Sequence, residues 1–177
     1  MAAEGGLFLQ TTRLDIKFTS RDDFENILQL RSDPDVQRYT VQHGYELAQP
    51  ADIEKFLDNI IPYQKTHGFG MCSVFLKGTK TFIGQGGIFH IGHYERQPEI
   101  EIGYRLHKAY WGQGYGSELC AFLKDWFAKN LNTSSLVAFT ETDNIASRKI
   151  LEKNAFVHLG LKESYYGLLE RYEWHKK

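Results

Sequence analysis

Three glycines at alternate positions, Gly112, Gly114 and Gly116, are the residues of this chain whose type and spacing most directly suggest chemistry. They stand between an alternating apolar stretch and a sequence with helical periodicity. A glycine-rich turn that opens a helix leaves several backbone amides without partners, and the helix dipole adds partial positive charge there. Residues 110–119 therefore predict an anion site suited to a pyrophosphate. The alternative is a tight turn that needs glycine only for its positive φ.

Two common phosphate-binding patterns are absent from the sequence. The chain has no G-x-x-x-x-G-K-[ST] motif, and its glycines do not follow the G-x-G-x-x-G spacing of dinucleotide-binding folds. The predicted anion site is therefore another kind of phosphate-binding turn. The helix after it is strongly amphipathic, and we interpret its apolar stripe as core packing. That stripe consists of Tyr115, Leu119, Phe122, Leu123, Trp126 and Phe127.

The elements before this turn are predicted to begin with one strand and three helices. Residues 14–18 alternate as a strand does, and Ser20 opens a variant of the capping box at a helix start. Residues 33–35 and Pro50 each predict a further helix start, because proline suits the first helical turn. Pro62 should end or kink the third helix, since it lacks an amide and clashes one turn back.

The remaining elements are predicted to alternate between sheet and helix. Three antiparallel strands form a meander, and then a helix, a strand, a helix and a closing hairpin follow. The strands of the meander cover residues 71–76, 81–91 and 99–106, the helices 115–130 and 144–154, the strand between them 136–140, and the hairpin strands 156–162 and 168–174. This order favours a mixed α/β domain over a regular doubly wound sheet.

Length and composition are those of one globular domain. The chain has 177 residues and a net charge of −1, without the basic face that a nucleic-acid partner would require. Cys72 and Cys120 are too far apart for a C-x-x-C pair, so two free buried thiols in a reducing cytoplasm are expected. The first ten residues lack the pattern of a signal peptide, and no stretch is apolar enough to cross a membrane.

Two segments resemble the motifs of the GNAT superfamily of N-acetyltransferases. EIEIGYRLHKAYWGQGYGSEL (residues 99–119) is similar to its coenzyme A-binding motif, and TETDNIASRKILEKNAF (residues 140–156) to its next motif. With residues 12–14 and 33–40, the resemblance is closest to the RimJ/RimL branch, which acetylates ribosomal-protein N-termini. It implies one domain over residues 1–177, of which 1–10 need not be ordered. The implied fold is a mixed α/β GNAT fold, with a mostly antiparallel twisted sheet of six to seven strands, splayed in the middle, and four to five helices.

The resemblance also implies which residues hold acetyl-CoA, the expected cosubstrate. The glycine turn would offer amides to the pyrophosphate, and the strand before it would splay from its neighbour and pair with pantetheine. Asn144 would hydrogen-bond the coenzyme arm, although it could equally be the N-cap of its helix. The expected coenzyme-binding set is Ile102, Gly103, Tyr104, Leu106, Gly112, Gln113, Gly114, Tyr115, Gly116, Ser117, Asn144, Ser147 and Lys149. No metal is expected.

Glu101 is the candidate for the catalytic base. The resemblance places its strand beside the acetyl group, and a partly desolvated carboxylate can accept a proton from an amine. Glu99 shares its face by strand alternation. The alternative is a solvated carboxylate or a salt bridge to Arg105, which is also on that face, because ion pairs imitate catalytic carboxylates.

The candidate for the acid differs from that of many relatives. They place a tyrosine seven residues after the motif asparagine, where this chain has Leu151. The RimJ/RimL branch has a serine three residues after the asparagine, and Ser147 matches it; a helix-surface serine is the alternative. A backbone amide near Tyr104 would stabilise the oxyanion. Ala155 stands where the family usually has glycine, and alanine there predicts a helix end outside the left-handed region.

The amine acceptor is left open by the sequence. A protein N-terminus, a polyamine and an aminoglycoside are all possible acceptors. A different function, that of a coenzyme A-binding regulatory module without catalysis, also fits the sequence. Glu95, Glu99 and Glu101 would attract any cationic acceptor, and the loop 40–49 with Tyr39, His43 and Tyr45 would line its side. The oligomer is expected to be a monomer or a homodimer. His90 and His93 are interpreted as surface residues, and His107 and Lys108 either assist the phosphates or are solvated.

Overall fold

One mixed sheet forms the centre of the molecule. The structure is a computed structural model that describes residues 3–40, 47–93 and 96–176. The strands are β1 (Leu7–Gln10), β2 (Leu14–Lys17), β3 (Met71–Leu76), β4 (Phe82–His90), β5 (Ile100–Leu106), β6 (Ser135–Thr140), β7 (Val157–Ser164) and β8 (Gly167–His175). Their spatial order is β1-β2-β3-β4-β5-β6-β8-β7. Neighbouring strands are antiparallel except β5 and β6, which are parallel.

This sheet confirms the predicted mixed α/β, mostly antiparallel fold, with eight strands in the described residues where six to seven were expected. The additional strand is β1, inside the first ten residues, for which no order was required. Its pairing with β2 and the packing of Phe8 against Phe18 and Trp126 hold it in place.

Five α-helices flank the sheet in the described parts of the chain. They are α1 (Phe24–Arg31), α2 (Pro34–Gln37), α3 (Pro50–His67), α4 (Tyr115–Asn130) and α5 (Ile145–Lys153). The predicted capping box is present: the Ser20 amide donates to the Asp23 carboxylate at 2.9 Å, just before α1. None of the described helices is both long and apolar enough to cross a membrane.

Helices cover both faces of the sheet, and strand alternation decides which side chain meets which helix. On β4, the side chain of Gln85 meets Arg31 of α1. A Cβ added to its neighbour Gly86 would collide with Leu119 of α4 at 2.5 Å, so α4 packs closely on the opposite face. Helices α1 and α3 pack on each other, as do α4 and α5. The face that carries odd-numbered residues of β4 and β5 therefore looks toward α1 and α3.

The parallel pair β5–β6 separates after two registered positions. Ile100 lies opposite Leu136 and Glu101 lies opposite Val137, and no later residue of β5 pairs with β6. The predicted splay in the middle of the sheet is therefore present. It opens a wedge between the second half of β5 and the end of β6, and Glu101 lies at its narrow end.

Pro62 was predicted to end or kink helix α3, and it does not end it. The helix continues past this residue to His67, where Gly68 with φ 73° terminates it. Pro62 lies on the exposed face, so the carbonyl that loses its partner one turn earlier can be hydrated. Ile60, Ile61 and Tyr63 on either side of it are buried, and their packing keeps the following turn helical.

Candidate active site

The glycine turn has the geometry of an anion site. Gly112 and Gly114 have φ values of 71° and 82°, in the left-handed region that favours glycine. The first described hydrogen bond of α4 is donated by the Glu118 amide to the Gly114 carbonyl at 3.0 Å. The amides of Tyr115, Gly116 and Ser117 therefore have no acceptor within the helix. These free amides, at the positive end of a sixteen-residue helix, fit a pyrophosphate.

Arg13, which directly precedes β2, stabilises the conformation of this turn. Its guanidinium donates to the Gln113 carbonyl at 3.0 Å and to the Glu118 carboxylate at 2.6 Å. It also lies 4.3 Å from the centre of the Tyr115 ring. The side-chain amide of Gln113 turns back to the Ala109 carbonyl at 2.7 Å, so this residue offers the site its backbone only. The turn is thus held rigid before any ligand binds.

A continuous cavity of about 1190 Å³ runs from the glycine turn through the wedge to helices α1 and α3. Twelve of the thirteen residues predicted to hold the coenzyme line it, and Gln113 does not. Those twelve are Ile102, Gly103, Tyr104, Leu106, Gly112, Gly114, Tyr115, Gly116, Ser117, Asn144, Ser147 and Lys149. The fold thus brings together two motifs that are about thirty residues apart in the sequence.

Asn144, Ser147 and Tyr104 form a small polar group on the α4–α5 side of the wedge. The side-chain carbonyl oxygen of Asn144 accepts from the backbone amide of Ser147 at 3.2 Å, so Asn144 is the N-cap of α5. The Ser147 hydroxyl lies 3.3 Å from the Tyr104 hydroxyl, and either can donate. Burial raises the pKa of Tyr104 well above its usual value, so this hydroxyl stays protonated.

Glu101 is a buried carboxyl group on the opposite face, with 7% of its surface exposed. Its oxygen Oε2 accepts a hydrogen bond from the Tyr166 hydroxyl at 2.6 Å, and that hydroxyl in turn accepts from the Gly92 amide at 2.9 Å. Burial raises the pKa of Glu101 to about 8, although the bond from Tyr166 opposes the shift. A carboxyl group whose pKa lies near neutrality at the bottom of a cavity can exchange protons with a substrate.

Neither of the alternatives considered for Glu101 is what the structure shows. Glu101 is not solvated, and no ion pair joins it to Arg105 among the residues that the structure describes. Its neighbour Glu99 instead forms an ion pair with Arg171 of β8. Arg171 comes near Glu99 because β8 follows β6 and β6 follows β5 in the sheet, an order that is not evident from the sequence.

Tyr166 is the residue that sequence analysis missed. It lies in the turn between β7 and β8, 65 residues from Glu101. An aromatic residue in a hairpin turn has no local feature that would identify it. The same segment contains a second misjudged residue, because Ala155 has φ 65°, in the left-handed region where the sequence predicted it would not be. The Ala155 and Phe156 amides close the end of α5 by donating to Glu152 and Leu151, and this motif requires the conformation.

The histidines and Lys108 have partners in the structure. His90 is hydrogen-bonded to Tyr63, as expected of a histidine that is not a metal ligand, and the half-buried His93 ring is stacked on Phe89 with centroids 4.4 Å apart. Lys108 is paired with Asp35 at 2.7 Å, and His107 is half-buried. Tyr39 lines the cavity as expected, whereas His43, Tyr45 and Glu95 lie outside the described residues. No group of three metal-ligating side chains occurs in the described ranges.

The cavity thus combines a wedge between parallel strands, a helix start with free amides and a buried carboxyl group where the wedge closes, an arrangement that suits acyl transfer from a phosphate-bearing donor. An acetyltransferase (GNAT) domain model matches residues 13–157. The chain therefore belongs to the GNAT family and is an acetyl-CoA-dependent N-acetyltransferase.

Relatives in sequence and in structure agree with this assignment. The uncharacterized N-acetyltransferase p20 of Bacillus licheniformis is 28% identical over 89% of this chain and 86% of its own length. YoaA of Bacillus subtilis strain 168, another uncharacterized N-acetyltransferase, is 29% identical over the same shares. An acetyltransferase from Agrobacterium tumefaciens str. C58 superposes with a TM-score of 0.77 at 22% identity, covering 95% of this chain and 94% of its own.

A RimL ribosomal L7/L12 alpha-N-protein acetyltransferase, solved in complex with coenzyme A, has the same fold. Its TM-score is 0.76 at 18% identity, and the match covers 96% of this chain and 97% of that one. The RimL-like fold inferred from residues 99–119 and 140–156 is thus confirmed.

Proposed function

We propose that this enzyme transfers the acetyl group of acetyl-CoA directly to a primary amine, with Glu101 as the general base. The single observation that carries the proposal is the position of Glu101. It is the last residue of β5 that pairs with β6, so its carboxyl group lies where the wedge closes. The hydrogen bond from Tyr166 to Oε2 orients the carboxyl group and leaves its second oxygen, Oε1, to accept a proton from the substrate.

The reaction balances with the groups that line the wedge. Acetyl-CoA supplies the acetyl group as a thioester. An uncharged amine attacks the carbonyl carbon of that thioester. Glu101 accepts the proton that the amine loses as its nitrogen–carbon bond forms and the carbon–sulfur bond breaks. The hydroxyl of Ser147, paired with that of Tyr104, donates a proton to the departing sulfur.

The oxyanion that develops in this reaction requires a donor on the open side of β5. Successive backbone amides of a strand point alternately to its two neighbours. Beyond Glu101 the β6 side of this strand has no partner, so the amides near Tyr104 that point that way are available. They cost no reorganisation, because β4 holds the other edge of the strand along all seven residues.

The coenzyme would be held by the two ends of the wedge. The free amides of Tyr115, Gly116 and Ser117 would bind the pyrophosphate, and the unpaired edge of β5 would bind the pantetheine arm. Asn144 already caps α5 and lines the cavity, so one residue can serve the helix and the coenzyme together.

The test is the release of free thiol from acetyl-CoA over a panel of small amines and peptide N-termini. We expect release that depends on one class of amine and is lost in Glu101→Gln. Direct transfer further predicts that intact-protein mass spectrometry finds no acetylated enzyme after incubation with acetyl-CoA alone. Tight binding of acetyl-CoA without thiol release for any amine, or a stable acetyl-enzyme, would contradict the proposal.

A further inference from the structure

The acceptor end of the cavity contains two arginines that no described carboxylate neutralises. Arg31 projects from the last turn of α1, and Arg105 projects from β5 on the face that carries Glu101. Both line the cavity. Ion pairs occupy most arginines of the described residues, including Arg13, Arg148 and Arg171, but neither of these two. Positive charges that are partly withdrawn from water without a counterion are costly and therefore uncommon.

Arg31 is held in a fixed orientation. Its Nε donates to the side-chain carbonyl of Gln85 at 2.9 Å, and its guanidinium lies 3.8 Å from the centre of the Phe56 ring. Its terminal nitrogens make no hydrogen bond to any residue in the described ranges. The guanidinium is thus anchored by one edge and one face, which leaves the outer edge free for a ligand.

Arg105 lies close to the Arg31 guanidinium. It is directly opposite Gln85 in the β4–β5 register, and it makes no hydrogen bond or ion pair with a described residue. Burial and the charge of Arg105 lower the pKa of Arg31, and burial lowers that of Arg105 to about 10. A guanidinium group stays protonated in proteins, so both side chains are cations.

The surroundings of the two arginines contain hydrogen-bond donors but few acceptors. Gln85 is fully buried, and its amide nitrogen finds no acceptor among the described residues. Burial, with the nearby charges of Arg31 and Arg105, lowers the pKa of His93 to about 4, so its ring is neutral. The cavity-lining carboxylate of Asp52 is occupied, because it accepts from the Gln49 amide at 2.8 Å at the start of α3.

From this arrangement, which rests on the proposed function of Glu101, we infer that the acceptor is a small amine that also carries a carboxylate, bound by Arg31 and Arg105. Two guanidinium groups with free edges match a carboxylate in shape and charge. Glu101, Gly103 and Arg105 lie at alternate positions on one face of β5. The ring of Phe89 covers Gly103, because a Cβ there would lie 3.1 Å from the ring, and Phe89 itself lines the cavity.

The dimensions suit a molecule of amino-acid size. Glu101 and Arg105 are four positions apart on the strand, or roughly 13 Å between their Cα atoms, and side chains that lean toward each other shorten the gap. An acceptor with its amine at Glu101 and its carboxylate at the arginines would lie against the Phe89 ring. Polyamines and aminoglycosides carry only positive groups, and their second ammonium would meet the guanidiniums. The structure therefore points away from the cationic acceptors that the acidic residues of the sequence suggested.

The test compares free amino acids with the amines obtained by removing their carboxyl group, each assayed by thiol release. We expect the best amino acid to lose at least about 100-fold in kcat/KM when its carboxylate is removed, as is typical when two charge-assisted contacts are lost. Arg105→Gln and Arg31→Gln should each raise KM for that amino acid at least tenfold and leave KM for acetyl-CoA unchanged. The ratio of kcat/KM for the amino acid to kcat/KM for its decarboxylated amine should fall at least tenfold in either variant.

Arg21→Gln is the matched control, because Arg21 is exposed in the turn that precedes α1 and pairs with Glu54 and Asp58 on the surface. Circular dichroism melting checks that the variants fold. If one arginine variant does not fold, the other variant and Arg105→Lys, which keeps a charge but loses the planar fork, are used instead. The quantity compared is again the ratio of activity with the amino acid to activity with its decarboxylated amine. A thermal shift with the amino acid alone gives a readout that does not depend on turnover.

Three results would overturn the inference while leaving the acetyltransferase function intact. These are equal activity toward an amino acid and its decarboxylated amine, preference for polyamines or peptide N-termini, and a rise in KM for acetyl-CoA in the arginine variants. The last result would assign the arginines to a coenzyme phosphate. Absence of thiol release with every acceptor would instead contradict the proposed function, so the two failures are distinguishable.

Discussion

Glu101 and Tyr166 form a buried pair whose chemistry depends on a single hydrogen bond. The carboxyl group has lost its solvent, which favours the protonated form, and the tyrosine hydroxyl is the group that favours the ionised form. As a result the proton affinity of Glu101 lies close to that required of a base that works near neutral pH. The Gly92 amide donates to the same hydroxyl and turns its proton toward Glu101.

The pH dependence of activity should report this pair. Glu101 must be ionised to accept a proton, so kcat/KM should rise with pH and reach half its maximum near the pKa of about 8. Tyr166→Phe removes the donor that stabilises the ionised form, and the inflection should move to higher pH. Tyr165→Phe is the control, since that hydroxyl bonds to no described residue and the side chain is exposed. With one acceptor used throughout, an unmoved inflection in Tyr166→Phe would argue against Glu101 as the base.

The paired hydroxyls of Ser147 and Tyr104 lead to a second residue-scale prediction. Ser147→Ala should lower kcat on the order of 10²-fold, the lower range for loss of a general acid, with little change in the Kd for acetyl-CoA. Tyr104→Phe keeps the serine and should have a smaller effect. Stopped-flow turnover and calorimetry measure the two quantities. A variant Ser147→Ala with wild-type kcat would remove this hydroxyl from the mechanism.

At the scale of single elements, the glycine turn before α4 does two separate jobs. The positive φ of Gly114 aims the turn, and the missing Cβ leaves the amides of the helix start accessible. A side chain at Gly114 would be strained and would also approach the Arg13 guanidinium, with its Cβ at 3.4 Å. We therefore expect the same residue to affect both stability and coenzyme A binding.

A pair of leucine substitutions separates these two roles. Gly78, in the turn between β3 and β4, has φ 70° and nothing within 4 Å of a Cβ, so Gly78→Leu carries similar backbone strain far from the cavity. We expect each of Gly114→Leu and Gly78→Leu to lose about 1–2 kcal/mol of unfolding free energy. Only Gly114→Leu should lose coenzyme A affinity by calorimetry. Unchanged affinity in Gly114→Leu would refute the position of the pyrophosphate.

The end of α5 is strained because an alanine occupies a left-handed position. Ala155 has φ 65° and is exposed, so glycine can replace it without loss of packing. Ala155→Gly should raise the free energy of unfolding by about 1 kcal/mol, the cost of the left-handed region less the greater chain entropy of glycine. Ala121→Gly inside α4 should lower it by a similar amount. Urea unfolding measures both, and a destabilised Ala155→Gly would show that the position bears no strain.

At the scale of the whole molecule, the buried carboxyl group of Glu101 couples stability to pH. Its pKa is raised on folding from about 4.5 to about 8. The folded state therefore holds a proton that the unfolded chain releases between these values, and the stability associated with the neutral group is lost as pH rises through this window. The slope is about 1.4 kcal/mol per pH unit for one such group.

The variant Glu101→Gln should remove this dependence, because glutamine cannot ionise and its carbonyl can still accept from Tyr166. We expect the difference in unfolding free energy between variant and wild type to grow in favour of the variant from pH 5 to pH 8. Using the difference cancels groups common to both proteins, such as His93, whose pKa is shifted the other way. A difference that stays constant across this range would contradict the burial of an ionisable Glu101.

The sequence by itself determined the local features of this enzyme. The bounds of α4, the meander, the capping box at Ser20 and the glycine turn before α4 all follow from hydrophobic period and from the conformational limits of proline and glycine, which act within a few residues. Resemblance of residues 99–119 and 140–156 to GNAT motifs then indicated the family and the coenzyme-binding residues. Glu101 was identifiable because it belongs to the first of these motifs.

The tertiary structure alone decided which distant side chains meet. Tyr166 reaches Glu101 through the turn of the last hairpin, and Arg31 comes near Arg105 because α1 packs on β4, where Gln85 binds Arg31 and lies opposite Arg105. Burial likewise kept α3 helical past Pro62, against the local preference of proline. The physical reason is the same in each case. Strand order and helix packing are set by the combined burial of the whole core, and no short stretch of sequence contains that information.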